Sequence, residues 1–227
     1  MTFDIAYTFS TVLPALIAAV PISLFLMVTS GVIGNVLAVP VAVARLSRNP
    51  FLRVPAYVFI LLMRGTPLLV QIYLVYYGLG QLLGPSVMRQ FPFLRDGIWY
   101  AIFALSINTA GYTGEIEAAR AFGMSRALVF RRVTLPRAIR ICLPAMSSEM
   151  ILLLKATALA STITVYEVLG TAQLIRVDTF RVYDTLIGAG VVYIAMVFLL
   201  TRVLNWIERA LSKERRPIPS AAPARAT

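Results

Sequence analysis

The stretch IAYTFSTVLPALIAAVPISLFLMVTSGVIGNVLAVPVAVA, residues 5–44, runs for forty residues without one charged side chain. A helix of about 20 apolar residues crosses a bilayer, so this stretch is long enough to span a membrane with residues to spare. Pro14 and Pro21 divide it. We therefore expect residues 1–20 to form a lead-in near the outer surface, followed by a first span over about residues 21–44.

The whole chain has the composition of an integral membrane protein. Hydrophobic residues make up 59% of its 227 residues and charged residues 14%, whereas a soluble domain carries about a quarter charged residues. A net charge of +11 would also suit a nucleic-acid-binding protein. The arginines, however, lie between apolar runs rather than on one polar face, which argues against nucleic acid as a partner.

Four more apolar runs predict four more spans, at about residues 55–80, 97–116, 141–163 and 183–206. Pro67 should kink the second span because proline lacks a backbone donor, and a polar connection ending at Arg181 should precede the fifth. Basic residues cluster after the first span, between residues 117 and 140, and near the C-terminus. The positive-inside rule then places the N-terminus outside and the C-terminus in the cytoplasm. We expect an all-α integral membrane fold of about five transmembrane helices over residues 21–206, with a disordered basic tail at 207–227.

The loop at residues 117–136 separates the third and fourth predicted spans. It combines a short helical signal, a glycine stop and a second basic piece that ends at a proline. Seven positions carry this pattern: Glu117, Ala118, Ala119, Gly123, Ser125, Leu135 and Pro136. An acidic residue suits the start of a helix, and serine caps the helix that follows it. From these residues alone, the loop is either a docking helix or an ordinary loop held at the lipid headgroups by its arginines.

Polar side chains within the predicted spans are candidates for a solute pathway. They are Arg64, Asn108, Glu149 and Lys155. Arg64 could instead extend to the cytoplasmic interface, and the small residues around Asn108 suit helix packing. Glu149 and Lys155 lie about 9 Å apart along one helix and about 120° apart around it, so they are poor partners for each other. Each faces either the pathway or a structural partner on another helix.

Two further residue types have simpler interpretations. The aromatic side chains near the predicted outer surface favour an interfacial belt over a ligand cage; they are Tyr73, Tyr76, Tyr77, Trp99 and Tyr166. Cys142, the only cysteine, is expected to be a small buried apolar residue. With no histidine in the chain, no histidine or multi-cysteine metal site is expected.

Four motifs, taken in order, resemble the permease subunits of ATP-binding-cassette (ABC) importers for polar amino acids. They are RGTPLLVQ at 64–71, NTAGYTGE at 108–115, the loop at 117–136 and LLLKATALAS at 152–161. The resemblance covers about residues 21–206 and implies the fold of a type I ABC importer permease. It also implies that the 117–136 loop, the EAA loop of that family, couples the spans to a separate ATPase. The chain itself has no Gly-x-x-x-x-Gly-Lys-Ser/Thr motif, so it is not expected to be an enzyme.

The resemblance implies a set of partners and a location. The partners are ATPase subunits, a second permease chain that is identical or homologous, an extracytoplasmic substrate-binding protein and membrane lipid. No cofactor is expected in this chain, since ATP and magnesium would bind the ATPase. The location would be the bacterial cytoplasmic (inner) membrane. Similarity around Arg64 and Lys155 inclines the substrate toward basic amino acids or opines.

Three other hypotheses remain. An ion-coupled secondary transporter would need more spans or internal repeats, and a membrane-embedded enzyme would need a convergent catalytic set. The third is a coupling-defective permease, because the family carries an extra stretch before the Glu-Ala-Ala of the loop. Here Gly114-Glu115-Ile116 runs directly into Glu117.

Overall fold

The computed structural model describes residues 4–113 and 135–211, and the regular elements in these ranges are all helical. Helix α1 runs continuously from Ile5 to Arg45. It comprises Ile5–Tyr7, a π-helical stretch Thr8–Val12, and Leu13–Arg45. The helix continues past the prolines that were expected to divide this stretch. The lead-in predicted at residues 1–20 is therefore not set off by a break in the helix.

The second predicted span consists of two helices joined at a sharp bend. Helix α2 is Pro50–Gly65 and helix α3 is Leu68–Gly84, and they are bent by 108° relative to each other. Thr66 and Pro67 between them have extended backbone. The bend lies where Pro67 predicted a kink, but it is far sharper than a kink within one straight span. The pair forms either a broken span or a re-entrant loop.

The rest of the described chain is a series of helices. Within α3, Leu68–Tyr73 is followed by π-helical Leu74–Leu79. The next helical stretch, Gly80–Gln90, is interrupted at Gly84, where α3 ends. A short 3-10 helix, Pro92–Arg95, follows. Four longer helices come next: α4 at Gly97–Thr113, α5 at Leu135–Ala156 with a 3-10 extension Thr157–Ile163, α6 at Val168–Thr179, and α7 at Val182–Leu211. Helix α6 occupies the stretch that was expected to be a polar connection.

Within residues 4–113 and 135–211, three segments are long and apolar enough to cross a membrane. They are Ile5–Arg45, Ala145–Ile163 and Val182–Ala210, and the bent pair α2–α3 makes a fourth if it counts as one span. Helix α4 has 17 described residues, slightly fewer than the roughly 20 that a straight span needs. The orientation with the N-terminus outside stays a prediction.

Helix α4 is held between α1 and α2 by close backbone contacts. A Cβ added at Gly34 of α1 would lie 2.6 Å from Cβ of Thr109, and one at Gly111 of α4 would clash with Cβ of Met63. Small residues let membrane helices approach this closely. The run around Asn108 thus packs α4 against both neighbours, which fixes where the Asn108 side chain can reach.

Candidate translocation site

The bend between α2 and α3 leaves a backbone carbonyl without its helical partner. In a continuous helix the carbonyl of Met63 would accept from the N–H of residue 67, but that residue is proline and has none. Two side-chain amides replace it: Nε2 of Gln71 donates to the Met63 oxygen at 3.0 Å, and Nδ2 of Asn108 donates to it at 3.2 Å. The Asn108 amide also donates to Oε1 of Gln71 at 3.0 Å. Side chains from α3 and α4 therefore close the break in α2.

Arg64 follows Met63 in the last turn of α2 and is exposed. Its guanidinium lies over the ring of Tyr112, 5.6 Å from the ring centre, at a distance where a cation is attracted to an aromatic face. Glu149 of α5 is half-buried, and its carboxylate lies within electrostatic range of Arg64. The structure thus brings Arg64 and Asn108 together where α2 packs on α4, with Glu149 of α5 within electrostatic range of Arg64.

Lys155 lies apart from that group, on a different face of α5. It is exposed, whereas its neighbours Leu153 and Leu154 are buried. Among the described residues, Lys155 makes no ion pair, and in particular it does not pair with Glu149. The expectation that these two residues are poor partners on one helix agrees with this arrangement.

The exposed face of α5 forms a stripe at helical spacing. Ser148, Leu152 and Lys155 are all exposed, and their spacings of four and three residues place them one above another. Thr162, in the 3-10 extension, is exposed as well. Ser148 and Lys155 are polar, so this face of α5, the polar stripe, carries two polar side chains around Leu152, and the rest of the described chain leaves it uncovered.

The predicted ATPase-coupling residues lie largely outside the described residues. These are Glu117, Ala118, Ala119, Gly123 and Ser125. Leu135 and Pro136 are described only as the first backbone positions of α5. The coupling role of the loop stays a prediction.

The predicted aromatic belt contains both exposed and packed rings. Tyr73, Tyr77, Trp99 and Tyr166 are exposed. Tyr76 instead packs edge-to-face against the buried ring of Tyr100, with the ring centres 5.4 Å apart. The belt itself stays a prediction, and the side chain of Cys142 lies outside the described part of the structure.

Glu167 is not among the functional residues that the sequence predicts. The structure buries this side chain completely, and it accepts hydrogen bonds from Ser23 of α1, Tyr193 of α7 and the Gly170 N–H of α6. One local signal was available: an acidic residue directly before the apolar run from Val168 is typical of a helix N-cap. The partners on α1 and α7 have no such local signal.

The chain is similar to known transport proteins over most of its length. Residues 34–217 match the family model described as binding-protein-dependent transport system inner membrane component. The chain is 44% identical to the octopine transport system permease protein OccM of Rhizobium meliloti, over 95% of this chain and 93% of that protein. It is 39% identical to the histidine/lysine/arginine/ornithine transport system permease protein HisM of Salmonella typhimurium, over 84% and 87% of the two chains.

A solved structure supports the same conclusion. An amino acid ABC transporter, crystallised with histidines, superimposes with a TM-score of 0.76 at 29% identity, covering 92% of this chain and all of that one. The resemblance of the four sequence motifs to ABC importer permeases is thereby confirmed, as is the all-α membrane fold. The chain belongs to the family of binding-protein-dependent transport system inner membrane components, the permease subunits of ABC importers.

Proposed function

We propose that this chain forms half of the transmembrane pathway of an ATP-driven importer for polar amino acids, with basic amino acids or opines as the substrate class. The relatives named for octopine and for histidine, lysine, arginine and ornithine support this class. A second permease chain, two ATPase subunits and an extracytoplasmic binding protein would complete the transporter in the bacterial inner membrane. Family membership favours this function over an ion-coupled secondary transporter or a membrane-embedded enzyme.

The polar stripe on α5 is the observation that carries the proposal. A lysine within a membrane-spanning segment is costly against lipid, so such residues face protein or a water-filled cavity. Lys155 is exposed on the described chain together with Ser148, so this face is expected to line the passage beside the second permease chain. Glu149, within electrostatic range of Arg64, would contribute a negative charge to the same passage.

Uptake by the reconstituted complex tests the pathway. The chain would be assembled with its ATPase, second permease chain and binding protein in proteoliposomes, and ATP-dependent uptake of radiolabelled arginine and octopine would be measured. Lys155→Met and Glu149→Gln should each lower uptake about tenfold or more, the change expected from losing a contact worth about 1.4 kcal/mol. Arg202→Met is the control, because Arg202 is exposed on α7 and stacks on Phe198 of its own helix. If Lys155→Met and Glu149→Gln take up substrate as fast as Arg202→Met does, these two residues do not line the pathway and the proposal is refuted.

The loop at 117–136 is proposed to dock on the ATPase. Co-purification of the ATPase from solubilised membranes should be lost in Gly123→Arg, because a large charged side chain would disfavour the turn that the sequence predicts at this glycine. Leu46→Arg adds the same charge to the other predicted cytoplasmic loop, at an exposed position, and should retain the ATPase. If the native chain and both variants all retain it, docking does not depend on this loop.

The short connection before Glu117 supports a second candidate, a permease with impaired coupling. The match to the octopine permease extends over 229 positions although only 95% of the 227 residues of this chain take part, so the relative has residues that this chain lacks. A spacer restored between Ile116 and Glu117 should then increase ATPase retention and uptake. Unchanged uptake would show that the short connection couples normally.

A further inference from the structure

Glu167 is a buried carboxylate at the point where three helices meet. Its side chain is 0% exposed. Oε2 accepts from the hydroxyls of Ser23 at 3.1 Å and of Tyr193, and Oε1 accepts from the Gly170 N–H at 2.8 Å. The Ser23 oxygen in turn accepts from the Val168 N–H at 3.3 Å. Hydroxyls and the N-terminal N–H groups of α6 thus stabilise the carboxylate, and α1, α6 and α7 are joined at one point.

The same cluster reaches the helix that carries Lys155. Thr157 is 0% exposed and begins the 3-10 extension of α5, two residues after Lys155. Its hydroxyl donates to the Leu154 carbonyl at 2.7 Å. Leu154 belongs with Val168 of α6 to a buried apolar cluster, and Tyr193 packs against that cluster. The buried side of α5 at this level therefore packs in the same cluster as Tyr193 and the start of α6, while Lys155 lies on the uncovered side.

The backbone between Lys155 and Glu167 has an unusual conformation. The 3-10 helix Thr157–Ile163 has seven residues, although runs longer than three or four are uncommon and often mark a functional hinge. Thr164 follows with φ 64° and ψ 22°, a left-handed conformation that a β-branched residue rarely adopts. Such a backbone persists only where surrounding contacts hold it. Where the segment meets α6, Gly170 packs so closely against the Val165 carbonyl that a Cβ would not fit, and the Gly170 N–H donates to Glu167.

We propose that Glu167 is a positioning residue for the translocation pathway: by holding residues 157–166 against α1 and α7, it directs Lys155 into the passage. The proposal rests on the proposed function, in which Lys155 lines that passage. Glu167 itself is buried and does not contact the solute. Loss of the Glu167 carboxylate should change the environment of position 155 more than loss of an equally buried carboxylate elsewhere in the chain.

Thiol labelling measures that environment without requiring transport. In the assembled complex, Cys142→Ala removes the native thiol and Lys155→Cys introduces one, whose reaction rate with a charged, water-soluble methanethiosulfonate is followed. Glu167→Gln keeps the shape of the side chain, and Tyr193→Phe removes a single hydroxyl. Each should change the labelling rate about fivefold or more, equivalent to about 1 kcal/mol.

Asp184→Asn is the matched control for labelling. Asp184, in α7, is likewise a buried acid, at 3% exposure. It accepts hydrogen bonds from the Asp4 N–H and the Thr8 hydroxyl, and neither partner belongs to the Glu167 cluster. Its substitution should leave the labelling rate within about twofold. The proposal is overturned if Glu167→Gln and Tyr193→Phe leave the rate unchanged, or if Asp184→Asn changes it as much as they do.

Uptake of radiolabelled arginine and octopine by the complex tests whether Glu167 acts through Lys155. Glu167→Gln should raise the half-saturating substrate concentration or lower maximal uptake when Lys155 is present, and should add little in Lys155→Met, since residues that act through one another are not additive. Additive losses would overturn the positioning role. If Lys155→Met alone leaves uptake unchanged, the pathway proposal fails, while the labelling rates still decide whether Glu167 positions residue 155.

Discussion

Thr164 shows how one residue can carry backbone strain in a membrane protein. Its φ of 64° lies in the left-handed region, where the Cβ of an L-residue crowds the following carbonyl at a cost of about 1–2 kcal/mol. Its hydroxyl donates only to the carbonyl of Ile163, the residue before it. The strain is therefore imposed by the turn between α5 and α6, since the threonine side chain makes no longer-range hydrogen bond in the described chain.

We predict that Thr164→Gly raises the free energy of unfolding by about 1 kcal/mol, because glycine adopts positive φ without the Cβ contact. Chemical denaturation in detergent micelles would measure the change. Thr162→Gly is the control: Thr162 is exposed within the 3-10 helix, so glycine there should lower stability by about 0.5–1 kcal/mol. A loss of stability in Thr164→Gly would show that the turn needs the threonine side chain.

At the scale of elements, the contact between α1 and α4 depends on the absence of a side chain. A Cβ on Gly34 would meet Thr109 at 2.6 Å and the Ser106 carbonyl at 2.8 Å, distances that require the helices to move apart. Helices in a membrane associate largely through such close packing rather than through the hydrophobic effect. The α1–α4 contact also supports the α4 position from which Asn108 reaches the broken end of α2.

Gly34→Ala should therefore lower the free energy of unfolding by about 1–3 kcal/mol, the usual cost of inserting a methyl group into a packed contact. Gly190→Ala is a matched substitution in α7, where an added Cβ meets no atom within 4 Å. There alanine should raise stability by about 0.5–1 kcal/mol, because it is the better helix former. Denaturation midpoints of the two variants that shift in the same direction would contradict the role of close packing.

At the scale of the whole molecule, an ionic cluster joins Asp4, just before α1, to the start of α7. Arg181 pairs with Asp4 at 3.3 Å and with Asp184 at 3.8 Å, and its guanidinium lies 4.1 Å from the centre of the Tyr7 ring. The Asp4 N–H donates to Asp184 at 2.8 Å. Because Asp4 and Asp184 are 180 residues apart in the sequence, these contacts link the start of α1 to the start of α7.

This cluster should make stability depend on pH. The Tyr7 N–H, followed by the Arg181 guanidinium, lowers the pKa of Asp4 below its ordinary 3.8. A carboxyl whose pKa is lowered by folding stabilises the protein above its ordinary pKa, and that contribution is lost as the pH falls through the folded value. The stability difference between the native chain and Asp4→Asn should therefore be constant above about pH 4 and shrink below it.

Denaturation of the two proteins in detergent between pH 7 and pH 3 would measure this difference. Asp96→Asn is a suitable control, since Asp96 caps the start of α4 through the Ile98 N–H at 3.1 Å and lies outside the cluster. In a protein that carries Asp96→Asn, the effect of Asp4→Asn should keep the same pH dependence. A difference that grows toward pH 3 would contradict the lowered pKa of Asp4.

The sequence by itself determined the class of protein and the positions of most helices. Long apolar runs predicted spans at 97–116 and 183–206, and the structure has Gly97–Thr113 and Val182–Leu211. Pro67 marked the position of the bend, because a missing N–H is a local property of the chain. Four short motifs indicated the family, which the comparisons confirm. Hydropathy and backbone donors can be read along the chain, so these features needed no tertiary information.

Only the tertiary structure decided the angle of the bend, the existence of α6 and the burial of Glu167. The 108° angle depends on amides from α3 and α4 that replace the lost helical hydrogen bond. Glu167 is surrounded by Ser23 and Tyr193, which lie 144 and 26 residues away. A charged residue is expected in solvent unless distant partners bury and satisfy it. Those partners come together only when the helices pack, so the buried cluster could not be predicted from the residues around Glu167.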